Sequence, residues 1–164
     1  MKTEAGFVVE AGKARFGEHF RMKGVTLNTL DLKVSPKDTD GRLAVFIQKG
    51  FTPNGGPPFH VHPNQNEMFY VVEGDYFFRV GNDEYFLKPG DTIFLPKGIP
   101  HAFIQLGETG KMLVQYEPAG LMEDFFRRTS EWTSPPSEED IRKVFEDHDM
   151  LVVGPPLTLK YRIS

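Results

Sequence analysis

The chain has no cysteine, which excludes structural disulfides and thiolate zinc sites. The redox compartment stays open, because a cysteine-free chain folds in either state. No apolar run approaches the roughly 18 residues of a transmembrane helix. Glu4 and Glu10 interrupt the N-terminal stretch where a signal peptide needs an apolar core. A cytoplasmic location is therefore expected, with no membrane association. Basic excess is missing too: 19 Lys and Arg stand against 23 Asp and Glu, for a net charge of -4. Without a positive footprint, nucleic acid is not an expected partner. Internal repeats and low-complexity segments are also absent.

What is present is turn chemistry. The 164 residues include 16 Gly and 13 Pro, distributed between short apolar runs, as a fold of many brief strands and tight turns requires. The prediction is a mainly β domain. Residues 1–24 read as a polar N-terminal arm. Its apolar patch Phe7-Val8-Val9 packs either on a neighbouring subunit's sheet, as in a homodimer, or as an edge strand of its own. Residues 25–117 read as a barrel, with strands predicted over 25–34, 43–48, 67–72, 76–80, 85–87, 92–95, 101–105 and 112–117. After Pro118 the period changes. Leu121, Met122, Phe125 and Phe126 recur at helical spacing, and Ser137 with Asp140 opens a second helix with a capping box. Residues 118–164 are thus expected to form a helical extension, two short helices packed on the barrel's outside. Between the helices, Trp132 and Pro135-Pro136 form a linker that is a candidate lid.

Four residues stand out chemically. In Phe59-His60-Val61-His62 the two histidines are separated by one residue, so on a strand both imidazoles point the same way. Pro63-Asn64-Gln65-Asn66 reads as a turn that returns Glu67 beside them on a neighbouring strand. A carboxylate at the head of the apolar run Glu67-Met-Phe-Tyr-Val-Val72 is costly to bury unless it is paired or ligates a metal. His101 begins a later strand, with Phe103 and Gln105 on the same face. His60, His62, Glu67 and His101 therefore make a candidate group for one divalent metal. Phe103 and Gln105 are the candidate pocket residues beside it. His19 and His148 lack such company and are expected to face solvent, His148 near a helix C-terminus where its charge suits the dipole. Phe69, Tyr70, Phe94 and Tyr116 are expected in the core.

The pattern resembles the cupin superfamily. Its first motif is matched by His60, His62, Glu67 and Gly74, with the leading glycine displaced: Gly55 lies one place too close to His60. Its second motif is matched by Gly90, Pro96, Gly98 and His101, with Gln105 where Asn is usual. The intervening residues, 75–89, have the short length familiar in single-domain bacterial cupins. The segment from Leu121 to Arg128, with Asp140-Ile141, Val144-Phe145 and Val153-Gly154-Pro155-Pro156, is similar to the tail of quercetin 2,3-dioxygenase-like cupins. The resemblance implies a double-stranded β-helix, or jelly-roll barrel, holding a metal at the four residues named.

Three imidazoles and one carboxylate suit Fe, Mn, Ni, Co, Cu or Zn and leave a six-coordinate ion two open positions. Three functions follow. The first, implied by the quercetinase resemblance, is a dioxygenase acting on a small aromatic or enolisable substrate, with Glu67 as ligand and proton acceptor. The second is a sugar or keto-acid isomerase or lyase using the same ligands without O₂. The third is a small-molecule-binding cupin without turnover.

Overall fold

The computed structural model describes residues 5–24 and 26–158. Among them, short apolar segments punctuated by Gly and Pro form eleven strands: β1 His19–Met22, β2 Asn28–Val34, β3 Ala44–Gly50, β4 Pro58–Val61, β5 Asn66–Glu73, β6 Tyr76–Val80, β7 Asp83–Leu87, β8 Thr92–Leu95, β9 His101–Gln105, β10 Gly110–Glu117 and β11 Leu151–Pro156. Two helices, α1 Met122–Ser130 and α2 Glu138–Glu146, lie between β10 and β11. Strands pair antiparallel in two sheets, ordered β1-β2-β3-β10-β5-β8 and β11-β4-β9-β6-β7. This is the expected mainly β, cupin-type jelly roll with two short C-terminal helices.

Period-two alternation builds the interior. On β10, Gly110, Met112, Val114 and Tyr116 are buried while the residues between them are only partly covered. Facing strands supply an aromatic centre in which the Phe103 ring lies 5.2 Å from Phe78 and 5.5 Å from Phe69, both tilted or edge-on, the arrangement that ring quadrupoles favour. Strand β9 is buried along its whole length. Phe103 joins the barrel interior, whereas Ala102 and Ile104 pack with Phe77 and Leu157 in a separate cluster.

Three expectations are revised. The N-terminal segment does supply an edge strand, but it is His19–Met22 on β2, not Phe7-Val8-Val9, which forms no strand. Phe7 instead lies under the Arg15 guanidinium, 3.8 Å from the ring centroid, while Val8 is exposed. The predicted first strand begins at Asn28, and its expected start at Val25 lies outside the described residues. Finally, the two helices do not simply cover the outside. Phe125, Val144 and Phe145 join the same cluster as the barrel's Phe46 and Tyr116, and Phe126 meets Phe46 edge-on at 5.0 Å. The helices pack on the edge strands β1 and β11 and send side chains into the interior cluster.

The Gly154-Pro155-Pro156 segment belongs to β11, paired with β4. Proline is tolerated there because β11 is an edge strand, where a missing N–H faces no partner. The register shifts on either side of Gly154, as bulged edge pairing permits.

Candidate metal centre

The four candidate residues converge from both sheets. His60 lies on β4 opposite His101 on β9, and His62 follows one step beyond the end of β4. The turn at Pro63 and Asn64 carries the chain from one sheet to the other. Glu67, on β5, therefore faces the imidazoles across the barrel interior and not beside them within one sheet. All four side chains are buried.

The entry to β4 is set by a close approach. Asn54 occupies the place of the displaced motif glycine and adopts φ +62, a left-handed conformation that Asn tolerates better than other non-glycine residues. Gly56 passes so near β9 that a Cβ would lie 1.8 Å from the Phe103 carbonyl oxygen. Only glycine fits.

One ligand atom from each of the four residues lies within 4.8 Å of the others. Glu67 Oε2 is 3.0 Å from His101 Nε2 and 3.2 Å from His62 Nε2. Despite these short distances, all three atoms are buried without a well-directed hydrogen bond. Buried polar atoms are normally satisfied, so close, convergent and unsatisfied donors fit a cation between them.

The other ring nitrogens supply the second half of the test. His60 Nδ1 lies 2.7 Å from the Pro58 carbonyl, His62 Nδ1 2.6 Å from Gln65 Oε1, and His101 Nδ1 3.3 Å from the Ile99 carbonyl. A carbonyl oxygen only accepts, so each Nδ1 carries a proton, and each ring, once neutral, presents its Nε2 lone pair. Metal-binding histidines are oriented in this way.

Burial, reinforced by the neighbouring His101 and His62, pushes the His60 pKa down to about 3. Burial acts in the same direction on His62, but the Glu67 carboxylate outweighs it and raises that pKa. For Glu67, burial favours the neutral acid, yet His62 and His101 together hold the carboxyl below its usual range. Burial, together with the nearby Glu67 carboxylate, raises the Tyr116 pKa and keeps the phenol protonated. The group thus combines an ionised carboxylate, at least one neutral imidazole and a phenol donor.

Beside these residues is a cavity of about 480 Å³, lined by His60, Glu67, Phe103, Tyr116, Phe125 and Trp132 among others. Phe103 is where the strand pattern places it. Gln105 is buried but does not line the cavity among the described residues. Its Nε2 donates to the Gly107 carbonyl at 3.0 Å, and its Oε1 fills the space where a Cβ on Gly50 would lie. Tyr116, expected only as core, forms part of the cavity wall. Gln65, read only as a turn residue, holds His62. His19 is exposed, with Nδ1 2.6 Å from the buried Asp31 carboxylate. His148 is half-buried, its Nδ1 2.7 Å from the Val144 carbonyl at the end of α2.

Residues 50–116 match the family model described as Cupin domain. Germin-like protein subfamily 1 member 4 of Arabidopsis thaliana is 31% identical over 96 residues, 54% of this chain and 38% of the relative. Oxalate oxidase 2 of Hordeum vulgare is 28% identical over 123 residues, 68% of this chain and 54% of the relative. The chain spans about half the length, or less, of these curated relatives. An RmlC-like cupin from Shewanella frigidimarina superposes with a TM-score of 0.57 at 19% identity, covering 73% of this chain and 96% of that one. That likeness shows the fold alone.

Proposed function

We propose, from the premise that residues 50–116 form a cupin domain, that His60, His62, Glu67 and His101 bind one divalent transition metal and that the protein is an oxidoreductase of the dioxygenase type. Its substrate is a small aromatic or enolisable molecule held in the adjoining cavity. The observation that carries this reading is the set of buried Nε2 and Oε2 atoms left unsatisfied at the centre of the group, with every imidazole tied through its opposite nitrogen. The similarity to oxalate oxidase 2 supports oxidoreductase chemistry over a purely structural role.

When bound, a metal of this class supplies Lewis acidity and, where redox-active, a partner for O₂. The chain's own residues supply the rest. Glu67 lines the cavity, where its carboxylate is placed to accept a proton from a substrate hydroxyl, and Tyr116 lines the same cavity. Phe69, Phe103 and Phe125 give the cavity flat apolar walls that exclude water and suit a planar substrate. Gln105 supports the wall from behind, through β9. A quercetinase-like activity on flavonols is the finer form of this proposal.

The test is to load the protein anaerobically with each of Fe, Mn, Ni, Co, Cu and Zn, then measure O₂ uptake with flavonols, other enediols and oxalate. Substrate-dependent uptake with at least one metal is expected. If fully metallated protein consumes no O₂ with any of them, the oxidoreductase reading fails. Turnover of a hydroxy-carbonyl substrate without O₂ would assign an isomerase or lyase in its place.

A further inference from the structure

Gln65 is buried, 7% exposed, and both ends of its amide are engaged. Oε1 accepts from His62 Nδ1 at 2.6 Å, while Nε2 donates to the Pro118 carbonyl at 2.9 Å and the Ala119 carbonyl at 3.0 Å. Pro118 and Ala119 open the segment that leads from β10 into α1, and Ala119 is fully buried, its N–H bonded to the Gly41 carbonyl at 3.0 Å. The next residue, Gly120, has φ +54, and a Cβ there would lie 2.7 Å from Gln65 Nε2. Contact this close needs glycine on both grounds.

The same C-terminal segment reaches a second imidazole. Phe145 of α2 stands edge-on to His60, with centroids 5.3 Å apart at 67°. Its neighbours Phe125, Phe126, Trp132 and Ile141 wall the cavity. The helical cap, α1 and α2 with the linker before them, is therefore joined to the metal centre twice: by hydrogen bonds through Gln65 and by ring packing on His60.

The structure assigns Gln65 as a positioning residue that holds His62 in its ligating orientation and ties that imidazole to the cap, so that metal binding and cap closure stabilise one another. This rests on the metal reading above. A metal that orders His62 also orders Gln65, whose other side-chain partners among the described residues belong to the segment leading into the cap. By linkage, a docked cap raises metal affinity by the same factor. The amide suits this role because it offers an acceptor to one side and two N–H donors to the other. A carboxylate offers only acceptors.

Hydrogen exchange over residues 122–146 of the full chain, with and without Co(II), tests this, alongside Co(II) affinity read from visible absorption. In the wild type, Co(II) is expected to slow cap exchange. Gln65→Ala is expected to weaken Co(II) binding by about tenfold to a hundredfold and to leave cap exchange fast whether or not Co(II) is present. Gln65→Glu keeps an acceptor for His62 but turns an oxygen toward the Pro118 and Ala119 carbonyls. It is expected to hold Co(II) more tightly than Gln65→Ala but more weakly than wild type, by the coupling lost with the undocked cap, while its cap exchanges fast with or without Co(II). Equal losses of Co(II) affinity in the two variants would show that the acceptor facing His62 does no positioning, and that result overturns the assignment. A wild type that binds Co(II) with unchanged cap exchange overturns it alone. A wild type that binds no Co(II) overturns the metal reading and this inference with it.

Discussion

Under the proposed function, His62 is the residue through which acidity acts on the metal centre. Burial lowers the His60 pKa to about 3, so that ring is neutral at any working pH and adds no pH dependence there. His62 is raised by Glu67 and holds a proton to higher pH than an ordinary histidine. A proton on Nε2 competes with a metal for the same lone pair. Metal affinity is thus expected to fall as pH drops through the raised His62 pKa and to rise above it. Calorimetry at pH 7 in buffers of different ionisation enthalpy should show protons released on metal binding, and His62→Ala should abolish both binding and release. Binding with no proton release would refute this account. The four converging residues were legible in the sequence because their signal is local: a two-residue period, a turn, and glycine and proline punctuation. Gln65 was not, since its partners lie 53 and 54 residues away and nothing near it marks a buried amide. Asn54 escaped for another reason. It meets a backbone requirement with a residue other than glycine.

At the level of elements, the second helix was readable and the last strand was not. Ser137 caps α2 by accepting from the Asp140 N–H at 3.0 Å, while the Asp140 carboxylate accepts from the Ser137 N–H at 3.3 Å. Three acidic residues in the first turn suit the helix dipole. Ser137→Ala is expected to destabilise the protein by about 1 kcal/mol, measured by urea denaturation, and an unchanged midpoint would count against the cap. Strand β11 hid behind Pro155 and Pro156, which argue against a strand wherever an N–H must pair. Only its place at the sheet edge, beside a strand from far earlier in the chain, removes the objection. The helices' place against the edge strands β1 and β11 was equally illegible. Their apolar faces are visible in the sequence, but what those faces cover is decided by residues such as Phe46, on a strand distant in sequence.

For the whole molecule, composition carried the fold class, because closely spaced Gly and Pro leave room only for short strands. Strand order could not be read. Neighbours such as β3 and β10 are far apart in sequence, and their pairing follows from the joint packing of Phe46, Met112 and Val114. Metal should affect the whole fold under the proposed function. At a free concentration about a hundredfold above Kd, a ligand specific to the folded state adds about 2.7 kcal/mol. Melting curves with metal and after chelation should differ accordingly, and coincident curves in protein that binds metal would show affinity for the unfolded chain as well. The turn at Pro63 and Asn64 gives this a mechanical meaning. Because His60 and His101 belong to one sheet and Glu67 to the other, an ion shared among them rivets the two halves of the barrel together. A chain with no cysteine would thereby gain a cross-link that acid or a chelator can undo.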